Sequence, residues 1–322
     1  MKTRVLFLTD HEWSLGRLVK DLAKYMWQHE VDIQLITWRK LWDYKHVNQM
    51  FNTIDWFVSN TNGTRVLWSN YGIPIERCIE IMYHTSDFEK LVSTEYNPQA
   101  GIPADAIARL GGLATLSEDV VKMAQIHSNR VPKPVKLLKI GYNSHAFYSA
   151  PSPALNTLGF GGGYHSREET QNGITAGNRE PWVFKRGYLA KESAEQAGIN
   201  FSIAQQYSTT NMTMPAWYTR VDAISCPSLD QGAGGPVYEG GLAGKLIFTT
   251  NSGEFASCIT EQGADVVPAD EQGFLEESVR LIHYYKDNPL KYRERCYGIR
   301  DWAIKKYDWQ NFIPQWLELF KQ

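Results

Sequence analysis

Apolar positions in the first 120 residues fall into two alternating patterns. Residues 4–9 form a continuous apolar run of strand length, after which Leu15, Leu18, Val19, Leu22, Ala23 and Met26 recur at helical spacing. A second short apolar run follows at 31–36. Strand, helix and strand in so short a stretch predict a βαβ unit of a parallel sheet, whose strands are buried on both faces and read as unbroken apolar runs. Runs at 55–59, 79–83 and 113–116 extend the series. The pattern predicts an open, doubly wound, Rossmann-like α/β domain.

A proline-punctuated stretch at 131–157, with Pro132, Pro134, Pro151 and Pro153 around a strand-like 135–140, marks a boundary. A second α/β series then opens with a strand at 158–160. Residues 161–181 are Gly-rich and polar and read as a long loop, a length that is uncommon unless functional. An Ala-rich helix at 188–197, a strand at 200–204, a helix near 215–220, a strand at 223–226, a loop and helix at 228–243 and a strand at 245–249 follow. Amphipathic helices at 273–285, 290–306 and 309–320 close the chain. The expected domains are 1–145, 146–305 and a terminal helical segment, 306–322, that packs back toward the first domain.

Composition narrows the picture. A chain of 322 residues fits two domains at about 150 residues each. With 43% hydrophobic and 21% charged residues it is neither disordered, collagen-like nor a coiled coil. The first apolar run is cut short by Asp10, His11 and Glu12, and no segment reaches the length of a membrane span, so a soluble, cytoplasmic protein is expected, at most peripheral to the inner face of a membrane. Cys78, Cys226, Cys258 and Cys296 lack CxxC spacing, which argues against a zinc site and for reduced thiols. The net charge of -2 excludes a polycation held to nucleic acid by bulk charge. The N-terminal half carries a slight basic excess and six of the eleven tryptophans: Trp13, Trp27, Trp38, Trp42, Trp56 and Trp68. Around Trp38, Trp42 and Tyr44, basic residues interleave with rings that could stack on sugars or bases, or pack inward from a surface helix.

The stretch 226–250 is the most informative. A strand enters a Gly-rich turn, and a helix begins near Gly235-Pro236, where proline's missing N–H is harmless. Glycines before a helix N-terminus let backbone N–H groups approach an anion. Glu239 lies in the first turns of that helix, where a carboxylate accepts hydrogen bonds from vicinal hydroxyls such as those of a ribose.

This stretch resembles the donor-binding signature of retaining family-4-type glycosyltransferases of the GT-B fold, roughly Pro-Ser-x-x-Glu-Gly-Phe-Gly-x-Pro-x-x-Glu-Ala. The same frame here is Pro227-Ser228, Gln231-Gly232-Ala233-Gly234, Gly235-Pro236-Val237 and Glu239-Gly240. Tyr307-Asp308-Trp309 resembles the family's closing Phe-x-Trp. The resemblance covers about residues 215–322 and is weaker before that. It implies two Rossmann-like domains facing a cleft, a nucleotide-diphosphate sugar (a UDP- or GDP-sugar) as donor substrate with no further cofactor, and an acceptor bound by the N-terminal domain. It implies that Glu239 contacts the donor ribose. Gln231 stands where the family has an acid that contacts the sugar, and Asp230 beside it could substitute.

The resemblance also implies cations against the diphosphate. After Gly161, Gly162 and Gly163 the usual Arg and Lys are displaced, and Lys185 and Arg186 take that role, with Arg167 in reserve; the alternative is a solvated helix entrance. His84, ending a strand, takes the family's cleft histidine position, although a lone histidine is more often packed or on the surface. Asp10, His11, Glu12, Trp13 and Gly16 occupy the acceptor-side βα turn, or serve as ordinary turn and cap residues. The base would be read within 205–214. No DxD is present, which together with the resemblance implies metal-independent transfer to a glycan, lipid-linked or small-molecule hydroxyl. Rival readings are a transferase acting on a modified base in DNA, a non-catalytic subunit that binds a nucleotide sugar (motivated by Gln231), and a sugar-nucleotide epimerase.

Overall fold

The computed structural model describes residues 2–9, 14–37, 51–82, 85–92, 101–176, 184–204, 214–229, 235–251 and 263–321. Contacts divide the chain into two compact units, Met1–Gly141 with Trp309–Gln322, and Tyr142–Asp308.

The first unit is built on β1 (Thr3–Leu8), β2 (Val31–Ile36), β3 (Trp56–Ser59), β4 (Cys78–Met82), β5 (Gly112–Thr115) and β6 (Lys136–Leu137). Among the described residues they form one sheet in the order β2-β1-β3-β4-β5-β6, every pairing parallel. Val5, Phe7, Phe57, Ile79 and Ile81 are buried, as the unbroken apolar runs require. Helices α1 (Ser14–Trp27), α2 (Thr61–Tyr71), α3 (Thr85–Val92), α4 (Ala104–Arg109) and α5 (Glu118–Ile126) alternate with the strands. The strand expected over 135–140 is only two residues long.

Trp56, Trp309 and Trp316 tie the C-terminal segment to this unit. The C-terminal segment, a 3-10 turn at Trp309–Asn311 and a helix at Ile313–Phe320, belongs to the unit. Trp316 and Phe320 pack on Phe7 with ring centroids 6.2 Å away, and Trp316 Nε1 donates to the Lys139 carbonyl at 2.9 Å. Trp56 Nε1 donates to the Phe320 carbonyl at 2.9 Å. Gly141 permits this return: a Cβ there would lie 2.4 Å from Trp309 Cα. Each buried ring contributes about 1.5–3 kcal/mol or more.

The second unit carries β7 (Thr157–Phe160), β8 (Asn200–Ile203), β9 (Ala223–Cys226), β10 (Leu246–Thr249) and β11 (Asp265–Val266) in the order β11-β10-β9-β7-β8, again all parallel among the described residues. Its helices are α6 (Arg167–Thr175), α7 (Gly187–Gln196), α8 (Met214–Tyr218), α9 (Gly235–Leu242), α10 (Glu271–Asp287) and α11 (Pro289–Tyr307); the C-terminal Ile313–Phe320 is α12. Asp222 pins the start of β7 to β9 by accepting the N–H groups of Asn156 and Thr157, both at 2.9 Å.

The long loop expected over 161–181 is interrupted by α6. Its start is a reciprocal capping box: the Ser166 N–H donates to the Glu169 carboxylate at 2.7 Å, and the Glu169 N–H donates to Ser166 Oγ at 3.2 Å. At the other end of the donor-motif helix, Gly244 at φ 66° closes α9. Its N–H reaches the Gly241 carbonyl and the Lys245 N–H reaches that of Gly240, both at 2.9 Å, a Schellman cap that needs glycine in the left-handed region.

Candidate functional site

In the second unit, β7 sits between β8, reached by one crossover, and β9, reached on the other side. The chain therefore reverses its winding direction between β7 and β9. Open parallel sheets bind ligands outside the carboxyl ends of their strands at such a switch point. The structure has a small hollow there, about 20 Å³ and opening to solvent, lined by Phe160, Gly161, Gly162, Lys185, Ser225, Cys226, Ser228 and Pro236.

Local structure explains how this hollow is held open. Gly161 and Gly162 continue β7, and Gly161 allows close approach to α9: a Cβ there would lie 3.1 Å from the Pro236 ring. Thr250 Oγ1 donates to the Ser228 carbonyl, and the Leu229 N–H donates to the Phe184 carbonyl at 2.9 Å. The turn after β9 is thereby fixed to its neighbours on both sides.

Two polar groups of the hollow stand without partners among the described residues. Ser225 is 1% exposed, and its Oγ has no hydrogen-bond partner among the described residues. Lys185 has no ion-pair or hydrogen-bond partner among the described residues either. An orphaned buried hydroxyl costs about 1–3 kcal/mol, a cost a polar ligand removes. The arrangement suits a ligand bearing an anionic group, held by one ammonium, one hydroxyl and the glycine backbone.

The expected site residues separate into distinct roles. Lys185, Gly161, Gly162, Ser228 and Pro236 come together around the hollow. Gly235 opens α9, and Val237 and Glu239 are buried within it; Glu239 lies one turn past the hollow's rim and is not among its lining residues. Arg186, expected as the second diphosphate cation, is 3% exposed and also stands outside the lining. Its Nε donates to the Pro227 carbonyl at 2.8 Å and its Nη1 to the Ala269 carbonyl at 2.7 Å, while Nη2 is buried with no partner among the described residues. Burial pushes its pKa below the ordinary value. Arg186 sits in the left-handed region at φ 47°, a strained setting for a non-glycine residue, and ties the turn after β9 to the segment before α10.

Arg167, the reserve cation, is not in the hollow. It lies in α6 and pairs with Glu192 at 2.7 Å and with Glu271. Hydrogen bonds to Glu192 and then to Glu271 raise its pKa against the opposing effect of burial. Gly16, expected in the first βα turn, is the third residue of α1, which begins at Ser14. Asp10, His11, Glu12, Trp13, His84, Asp230, Gln231, Gly232 and Gly234 lie outside the described residues, as do the aromatic-basic segment near Trp38 and most of 205–214. Asp10–Trp13 follow β1, which occupies the switch point of the first sheet.

The pattern of apolar runs did not reveal Ser225, Cys226 or Phe160 as lining residues. A serine and a cysteine at the end of an otherwise apolar strand were the available signal. Among the described residues no three His, Cys, Asp or Glu side chains gather as a metal site, and no helix is long and apolar enough to cross a membrane. Cys78, Cys226 and Cys296 are buried free thiols, and burial pushes that of Cys78 up to about 12.

No protein-family model matches the chain, and no curated protein matches its sequence. Solved structures do match its fold along the whole length. Anabaena Alr3699/HepE in complex with UDP and glucose superposes with a TM-score of 0.59 at 13% identity, over 99% of this chain and 100% of that one. A glycosyltransferase from Rickettsia africae ESF-5 gives 0.61 at 12% identity, over 99% and 98%. An alpha-glucosyltransferase in complex with UDP and a 13-mer DNA containing a HMU base gives 0.63 at 10% identity, over 100% of both chains. The chain has the two-domain α/β GT-B fold of these structures.

Proposed function

We propose that the chain is a nucleotide-sugar-dependent glycosyltransferase whose donor site is the hollow between β7 and β9 together with the N-terminal turns of α9. The observation that carries this reading is the coincidence of three features at one switch point. These are a lysine and a buried serine hydroxyl, both without a partner among the described residues, and the start of the helix that bears the Pro-Ser/Gly-Pro/Glu motif. UDP in the HepE and alpha-glucosyltransferase complexes supports a UDP-sugar as donor.

In this reading Lys185 faces the diphosphate, Ser225 and the glycines of 161–162 complete the anion cradle, and Glu239 accepts the ribose hydroxyls. The acceptor hydroxyl attacks the anomeric carbon on the face from which the nucleotide departs. The bond from that carbon to the β-phosphate oxygen breaks, the acceptor proton passes to that oxygen, and configuration is retained. Lys185 stabilises the charge that builds on the leaving diphosphate, so the reaction requires neither a protein nucleophile nor a metal. The three buried free thiols fit a reducing compartment, and we assign the activity to the cytoplasm.

The acceptor is a hydroxyl of a glycan, a lipid-linked saccharide or a small molecule. A second reading, a hydroxylated base in DNA, is favoured by the likeness to the DNA-bound alpha-glucosyltransferase over both full chains. Incubation with UDP-, GDP- and ADP-sugars, with saccharide and modified-DNA acceptors in parallel, tests the assignment. Nucleotide release that depends on an acceptor supports it and identifies the acceptor class. No release with any pair of substrates would leave a binding subunit as the function.

A further inference from the structure

We infer that Tyr142 and Tyr307 are positioning residues of the donor site, setting the pose of α9, and with it Glu239, by clasping the ring of Tyr238. The inference rests on the functional reading above, in which α9 carries donor contacts.

Tyr238 immediately precedes Glu239 and is 7% exposed. Its ring is held from two directions. Tyr307 lies 4.1 Å away at an interplanar angle of 34°, and Tyr142 lies 5.8 Å away at 58°. Each of these rings is backed in turn: Tyr307 by Trp302 at 5.3 Å, and Tyr142 by Phe147 at 6.5 Å. The backbones are joined as well. The Tyr142 N–H donates to the Tyr307 carbonyl at 2.8 Å, Tyr142 and Asp308 form a parallel bridge, and the Ser144 N–H donates to the Asp308 carboxylate at 3.4 Å. The Tyr142 hydroxyl reaches the beginning of the same helix, since a Cβ on Gly235 would lie 4.0 Å from it.

Residues 142 and 307 stand where the chain enters and leaves the second unit. Helix α9 therefore takes its position from the two ends of the unit as well as from the sheet it covers. On its other flank Gly241 brings it against α11, where a Cβ would meet that of Ala303 at 3.0 Å. A helix held this way slides or rotates only if the ring stack opens, and a displacement of about 1 Å is enough to cost a well-oriented contact most of its effect. By linkage, a donor that binds α9 must also favour the closed stack by the same free energy.

The test titrates UDP and GDP into the full-length wild type, then uses the tighter of the two with Y307F, Y307L, E239A and the double variant Y307L/E239A, alongside melting temperatures. Y307F, which keeps the ring, is expected to bind as the wild type does. Y307L is expected to bind roughly tenfold more weakly, and to lose little further affinity in the E239A background because it acts through Glu239. Should Y307L not fold, Y142L makes the same measurement. Unchanged affinity in Y307L, with or without a lower melting temperature, overturns the inference and leaves the donor reading intact, as does a loss that simply adds to that of E239A. A wild type that binds neither nucleotide overturns the donor reading itself, and this inference with it.

Discussion

The aliphatic stem of Lys185 lies over Gly162: a methyl group on that glycine would stand 3.2 Å from Lys185 Cδ and 3.0 Å from the edge of the Phe160 ring. The glycine therefore sets where the ammonium can go. Lys185→Ala is expected to weaken UDP binding by about 1.5–3 kcal/mol, the range for a charge-assisted contact. Gly162→Ala should weaken it in the same direction by pushing the lysine aside. Calorimetric titration with UDP reads both, and wild-type affinity in Lys185→Ala would remove the lysine from the donor site.

Ser225 gives the opposite signs for stability and binding. Its hydroxyl is buried and has no hydrogen-bond partner among the described residues. Ser225→Ala removes an unsatisfied group, so the melting temperature should stay level or rise, while UDP affinity should fall several-fold. A lower melting temperature together with undiminished affinity would show the hydroxyl to be satisfied internally and idle toward the ligand.

Arg186 is expected to act chiefly on stability. Arg186→Met keeps the stem but leaves the carbonyls of Pro227 and Ala269 without their donor, at a cost of about 1–3 kcal/mol. Denaturant unfolding measures this loss. A large drop in UDP affinity with no loss of stability would instead make Arg186 a ligand contact, through the nitrogen it leaves unpartnered.

The network of Arg167, Glu271 and Tyr188 predicts how the protein responds to acid. Burial is the largest single influence on Glu271 and acts to raise its pKa. Hydrogen bonds from Tyr188, at 2.5 Å, and from Arg167 outweigh it and hold the carboxyl below its ordinary value of 4.5. A carboxyl depressed in the folded state stabilises the fold above its unfolded pKa, and this contribution is lost as the pH falls from about 4.5 through the lower folded value. Because these side chains are partly exposed, with Glu271 at 40%, the effect is modest. Melting temperatures from about pH 6 to pH 3 should fall less steeply for Glu271→Gln than for the wild type, and parallel curves would contradict the assignment.

Much of the fold is legible in the sequence because parallel strands buried on both faces write themselves as apolar runs. Residues 4–9, 31–36 and 223–226 each correspond to a strand, and the Gly235-Pro236 signal falls at the first residues of α9. Helix α6 is hidden by its composition, since Gln171, Asn172 and Gly173 read as loop. The Ser166-x-x-Glu169 capping box was the signal that could have located it. The site was partly legible. Motif spacing points to Ser228, Pro236 and Glu239, and to Lys185 as a cation. It cannot distinguish Lys185, which lines the hollow, from Arg186 beside it, whose backbone turns left-handed and sends its guanidinium to two carbonyls. Nor can it reveal Ser225 or the stack of Tyr142, Tyr238 and Tyr307, which depend on contacts between residues far apart in the chain.

The central claim is that α9 and the hollow at its start bind a nucleotide-sugar donor. Titration of UDP into the wild type and Glu239→Ala, both confirmed as folded by their melting transitions, tests it most directly. Measurable binding by the wild type is expected, with a loss in Glu239→Ala of about 1.5–3 kcal/mol, roughly 10- to 150-fold in Kd. Equal affinities for the two proteins would contradict it.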